Sequence, residues 1–172
     1  MDPYQGFDEF VTSHTTALSR LAFLLTGDHH LAEDLLQAAL SQVVSRWPQV
    51  RDGNPAAYVR RCLINEYLSW RRRRRYHERP VESPVDGADP VDLASTVVRR
   101  VVVGRALAQL TPRQRAVLVL RFYEDLSEAE TAVIMGCSVG TVKSQTNHAL
   151  ARLRAAAPEL SELIAGRTGV PR

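Results

Sequence analysis

Two cysteines, Cys62 and Cys137, stand far apart in 172 residues. Their number and separation exclude a disulfide scaffold and a four-thiolate zinc site. No apolar run approaches the roughly 20 residues that cross a bilayer. The first residues, Met1-Asp2-Pro3-Tyr4, are acidic where a secretory leader is basic, and no apolar stretch follows them. Credible alternating strands are missing, as are internal repeats. There is no glycine-rich phosphate loop and no serine or cysteine nucleophile motif. What is present is 45% hydrophobic and 24% charged sequence, enough apolar surface to fold. The expectation is a cytoplasmic, non-membrane, all-α protein.

The net charge of +3 conceals a strong alternation. Residues 1–59 carry −4, residues 60–79 carry +6, residues 80–98 carry −4 and residues 99–172 carry +5. Basic blocks attract phosphates by releasing counterions. Acidic blocks do not, and so call for a different partner. The block containing Pro80, Pro84, Gly87 and Pro90 has no aromatic residue and reads as an extended acidic linker. It separates two small helical bundles, assigned as 1–76 and 98–156, with the linker at 77–97 and a tail at 157–172.

Helical spacing runs through both halves. Leu31, Leu35, Ala39 and Val43 repeat every fourth residue behind an Asp28 cap. Asn54-Pro55 starts a helix with Val59, Leu63, Tyr67 and Trp70 facing inward. A helix around 91–109 follows the linker. Thr111-Pro112 begins another, and Ser127 with Glu130 forms a capping box for the next. Ala132, Gly136 and Val142 then have the spacing of a helix-turn-helix: a small residue where helices cross, a tight turn, and an apolar anchor on the second helix.

The second helix of that motif, capped by Ser138, offers Thr141, Lys143, Ser144, Gln145 and, further along, His148 to duplex DNA. Arg113 and Arg115, at the start of the Thr111-Pro112 helix, are placed to grip the flanking backbone. In the first half, Arg61, Asn65, Ser69 and Arg72 share one helix face and Arg73 continues it. Tyr58, Tyr67 and Trp70 lie on the same helix, and arginines interleaved with aromatics suit single-stranded DNA. The acidic pair Glu33-Asp34, with Leu35 and Gln37, lies on a helix unsuited to DNA and points to a protein partner with a basic surface.

Two other classes fit the pattern less well. A regulator acting on duplex DNA alone leaves the Glu33-Asp34 helix and the Arg71–Arg75 run without a task. A metal hydrolase would use His30, Glu33 and Asp34 within one turn, but no second ligand cluster completes a site. No catalytic residue, metal or cofactor is assigned.

Four segments in order resemble a bacterial sigma factor of the extracytoplasmic-function (ECF) type, in its actinobacterial SigE-like subgroup. They are Ala32–Gln37, Tyr58–Asn65 through Trp70–Arg75, Leu110–Arg115 and Gly140–Ser144. The resemblance covers roughly residues 7–155. It implies that the Glu33-Asp34 helix docks on core RNA polymerase. The Arg61–Trp70 helix would hold the minus-ten promoter element as single strand, and the helix from Ser138 would read the minus-thirty-five element as duplex. The acidic linker would run through basic polymerase channels, and an anti-sigma factor becomes an expected class of partner. Gln145 stands where many relatives carry Arg, which moves that expected contact from guanine towards adenine.

Overall fold

A computed structural model describes residues 2–77 and 94–158. The acidic linker lies outside the described residues apart from its helical ends, as does the tail beyond residue 158. Among the described residues there is no strand.

Helix α1, Phe7–Thr26, starts behind Gly6, which takes a left-handed conformation and offers no side-chain cap. Asp8 and Glu9 in its first turn supply the negative charge that a helix start favours. It ends at Gly27, φ 74°, whose N–H donates to the Phe23 carbonyl. Asp28 at once caps α2, His29–Ser45, accepting from the Leu31 N–H at 2.9 Å. The Thr26 hydroxyl donates within this corner to the carbonyls of Ala22 and Asp28. A single turn, α3 (Trp47–Val50), contains Pro48. The buried Trp47 indole donates to the Gln5 carbonyl at 2.9 Å and meets Phe7 edge-on. Asn54 caps α4, Pro55–His77, by accepting from the Ala57 N–H. Helix α4 buries Val59, Cys62, Leu63, Ile64 and Tyr67 against α1 and α2.

The second bundle begins with α5, Ala94–Ala108. Helix α6, Pro112–Leu118, opens with a capping box between Thr111 and Gln114 and continues as a π turn over Val119–Tyr123. Ser127 and Glu130 make the expected capping box of α7, Glu128–Met135. Gly136, φ 62°, turns the chain, and Ser138 caps α8, Val139–Ala156. Ala132 and Val142 are both buried, as the helix-turn-helix spacing requires.

The all-α architecture matches the sequence reading. The sequence left open how the two bundles are arranged, and the structure packs them together. One apolar cluster runs from Phe10, Leu25, Leu63 and Tyr67 of the first bundle into Ala116, Val117, Leu120, Ile134 and Met135 of the second. A second cluster, with Leu107, Leu110, Leu118, Leu150 and Leu153, closes α5, α6 and α8 on each other. Each bundle is near the size at which a core is marginal, so a shared core is the physical gain of packing them.

Candidate nucleic-acid interface

Helix α8 is positioned by Val142, Ala149, Leu150 and Leu153, which fix its rotation on α6 and α7. That rotation leaves Lys143, Ser144 and His148 exposed. Gln145 and Thr141 are half-buried. The Ser138 hydroxyl accepts from the Thr141 N–H at 3.1 Å and bonds its hydroxyl at 3.0 Å, so the cap is spent on the helix itself. Lys143 Nζ lies 3.7 Å from Glu128 across the turn and is well exposed. This is a loose surface pair that a phosphate can displace.

On α4, Arg61, Asn65, Arg72 and Arg73 are exposed, and Ser69 is half-buried. Arg73 donates to Glu66 at 2.9 Å, and Glu66 also accepts from Gln42 of α2 at 3.0 Å. None of the three aromatics of α4 is fully exposed, and Tyr58 is half-buried. Tyr67 is core, and burial raises its phenol above the usual range, with Arg115 and Arg71 opposing. Trp70 is half-buried under the Arg74 guanidinium at 5.1 Å.

Helix α2 turns Glu33, Asp34 and Gln37 outward. Leu35 points the other way and is buried. It is therefore a core residue rather than a surface contact, because the i, i+4 row that includes Ala39 and Val43 faces α1 and α4. It reaches the surface only in a groove of about 200 Å³ that it lines with Leu31, Asp34, Ala38, Glu66 and Trp70.

The largest correction concerns the arginines of α6. Arg113 is exposed, as expected. Arg115 is buried, and its Nε–H donates to the Leu24 carbonyl of α1 at 2.6 Å. Burial lowers the pKa of this guanidinium; Tyr67 counters that and Arg71 adds to it. In this arrangement Arg115 does not join the exposed Arg113, Lys143, Ser144 and His148, since its side chain is buried against the first bundle.

These positions can be set beside known proteins. The family model Sigma-70 region 2 matches residues 10–76, and Sigma-70, region 4 matches residues 100–153. The RNA polymerase sigma-E factor of Streptomyces coelicolor is 42% identical over 153 residues, covering 86% of this chain and 84% of that one. The ECF RNA polymerase sigma factor SigM of Mycobacterium tuberculosis is 33% identical over 150 residues, 86% of this chain and 75% of its own. The chain belongs to the ECF sigma factors of the sigma-70 family. Among solved structures, the sigma factor RpoE in complex with the anti-sigma factor NepR from Bartonella quintana superposes with a TM-score of 0.68 at 26% identity. That match covers 87% of this chain and 95% of that one. CnrH in complex with the cytosolic domain of CnrY shares the fold, with a TM-score of 0.59 at 20% identity over 94% of this chain and 89% of that one.

This sigma factor is thus an alternative initiation factor that directs core RNA polymerase to promoter DNA, without catalysis of its own. Among its described residues no helix is long and apolar enough to cross a membrane, and no cluster of three or more His, Cys, Asp or Glu could hold a metal. Asn147, which the sequence analysis does not single out, is also exposed on α8, one turn after Lys143. Its i+4 spacing from Lys143 was the available signal. The pairing of Arg60 on α4 with Glu124 after the π turn had no sequence signal, because it joins elements far apart in the chain.

Proposed function

We propose a residue-level division of labour for this sigma factor. Glu33, Asp34 and Gln37, with the groove beside them, dock on a basic surface of core RNA polymerase. Arg61, Asn65, Arg72 and Arg73, flanked by Ser69, hold the minus-ten element as single strand. Lys143, Ser144, His148 and the half-buried Gln145 and Thr141 meet the minus-thirty-five duplex, with Arg113 on its flanking backbone. The functional units are residues 1–76 and 98–156, joined by the linker at 77–97. The protein acts in the cytoplasm, and an anti-sigma factor is extended to it as a class of partner from the Bartonella complex.

The observation that carries this reading is the separation of exposed charge by sign. The outward face of α2 is acidic, while those of α4 and α8 are basic or hydrogen-bonding. An acidic face repels DNA and attracts a basic protein surface. Transcription in vitro with purified core polymerase and genomic fragments tests it. Discrete new transcripts are expected only when the protein is added. Charge reversal at Glu33 and Asp34 should abolish co-elution with core enzyme. Alanine at Arg61 and Asn65 should suppress the 2-aminopurine signal of promoter opening while upstream binding persists. Co-elution that survives the charge reversal would refute the docking face.

A further inference from the structure

A cleft of about 410 Å³ lies between α5 and α8, lined by Arg105 of α5, Gln109 just beyond it, and Arg152, Ala155 and Ala156 of α8. Its chemistry is one-sided. Two guanidiniums face it, an amide and two methyl groups complete the wall, and no carboxylate is among its lining residues. Both arginines are exposed, and neither forms an ion pair among the described residues. Arg152 Nη1 donates to Gln114 Oε1 at 3.3 Å. That oxygen also accepts the Thr111 N–H of the α6 capping box at 3.1 Å. The amide is neutral, so it orients the guanidinium and leaves its charge unspent, and a charged acceptor is the stronger partner.

A positive charge in the last turn of a helix suits the macrodipole, and that accounts for Arg105 singly. It does not account for Arg105 and Arg152 facing one cleft. Two like charges there repel each other, and an anion between them turns the repulsion into attraction. The position along α8 identifies the anion. Arg152 follows Thr141, Gln145 and His148 by 11, 7 and 4 residues, so all four share one helix face. Thr141 to Arg152 spans about 16 Å of helix rise, whereas the major groove is about 12 Å wide. With the first turns of α8 in the groove, Arg152 stands over the sugar-phosphate strand beside it. We propose that Arg105 and Arg152 clamp one backbone phosphate flanking the upstream duplex site. Such a contact adds affinity at every sequence and carries no base preference. This rests on the reading that α8 binds duplex DNA.

The test uses the full chain and a duplex carrying an upstream element mapped by transcription in vitro, between about 50 and 200 mM salt. Arg105→Gln/Arg152→Gln should bind about tenfold more weakly. Its slope of log affinity against log salt should be shallower by about 0.9, one phosphate contact. The loss should be equal across single-base substitutions of the site. Because both arginines hold one phosphate, the two single variants should not add up to the double. Arg152→Lys keeps the charge and should keep the slope, and circular dichroism confirms that each variant remains helical. A single neutral methylphosphonate walked along each flank should locate one position that weakens the wild type and leaves the double variant unchanged.

A double variant with the wild-type slope overturns the clamp. If Lys143→Ala still weakens binding in that case, the duplex reading of α8 stands without it. If Lys143→Ala and Ser144→Ala also bind like the wild type, the duplex reading itself fails, and the clamp with it. A double variant that keeps its duplex slope but loses co-elution with core polymerase assigns the cleft to an acidic protein surface and likewise overturns the clamp.

Discussion

Arg115 and Gly27 occupy one another's space: the guanidinium of the second bundle lies where a side chain at the end of α1 would stand. The glycine is doubly required, since its φ of 74° is also left-handed. Gly27→Ala should therefore destabilise the protein by about 1–2 kcal/mol from backbone strain, plus a contribution from displacing the guanidinium. Urea denaturation of Gly27→Ala, Arg115→Ala and the double variant separates the two. The strain persists in the double variant and the displacement contribution disappears.

Thr131 is completely buried on α7, and its hydroxyl has no hydrogen-bond partner among the described residues. Valine has nearly the same shape and no polar atom to desolvate. Thr131→Val should raise stability by about 1 kcal/mol, seen as a thermal midpoint a few degrees higher. An unchanged or lower midpoint would mean that the hydroxyl is satisfied in solution.

The two kinds of residue on α2 should respond oppositely. Leu35→Ala removes a buried side chain from a packed row and should cost about 2–5 kcal/mol. Glu33→Lys/Asp34→Lys changes only exposed charge and should stay within about 0.5 kcal/mol per position of wild-type stability. Co-elution with core polymerase should be lost in the second variant at full helicity. Loss of both folding and co-elution there would assign the pair a structural role.

The capping box of α7 gives a pH signature. Hydrogen bonds from Ser127, side chain first and backbone second, hold the Glu130 carboxyl below its usual range. A carboxylate whose pKa is depressed on folding adds stability that is fully present above its unfolded value of about 4.3 and is lost as pH falls through the folded value. The urea midpoint of Glu130→Ala should thus fall short of wild type at pH 6, and the two should converge as the solution is acidified to pH 3. Glu130→Gln retains the reciprocal bond and should lie between them with less dependence on pH.

Asn147 and Gln145 separate by exposure. Asn147 projects from the outer face of α8 and Gln145 is half-buried. Each amide can pair with adenine in the major groove, where a good bidentate contact is worth about 1–3 kcal/mol. Asn147→Ala should weaken binding to the cognate upstream duplex by that amount and relax preference at one base pair. Gln145→Ala should have the smaller effect on DNA. Footprinting and competition across single-base substitutions of the site measure both.

Local chemistry was legible without a structure. Asp28, Asn54, Thr111, Ser127 and Ser138 could each be read as caps because capping depends on residues within one turn of each other. The helical rows of α2 and α4, the turn at Gly136 and the anchors Ala132 and Val142 follow from period and size. So do the exposed Glu33, Asp34, Arg61, Asn65, Lys143 and Ser144. Arg115 is different: as a type it suits either a surface contact or a buried role, and which one it plays depends on which face its helix buries. For Arg115 that face is chosen by α1, which is 91 residues away at the hydrogen-bonded carbonyl. Sequence spacing carries no information about such a contact. By itself, then, the sequence determined the helices, their caps, the two basic faces and the acidic one. Only tertiary packing decided that the bundles share a core, that Arg60 meets Glu124, and that Arg115 is withdrawn from the surface, because burial is a property of what lies opposite a side chain.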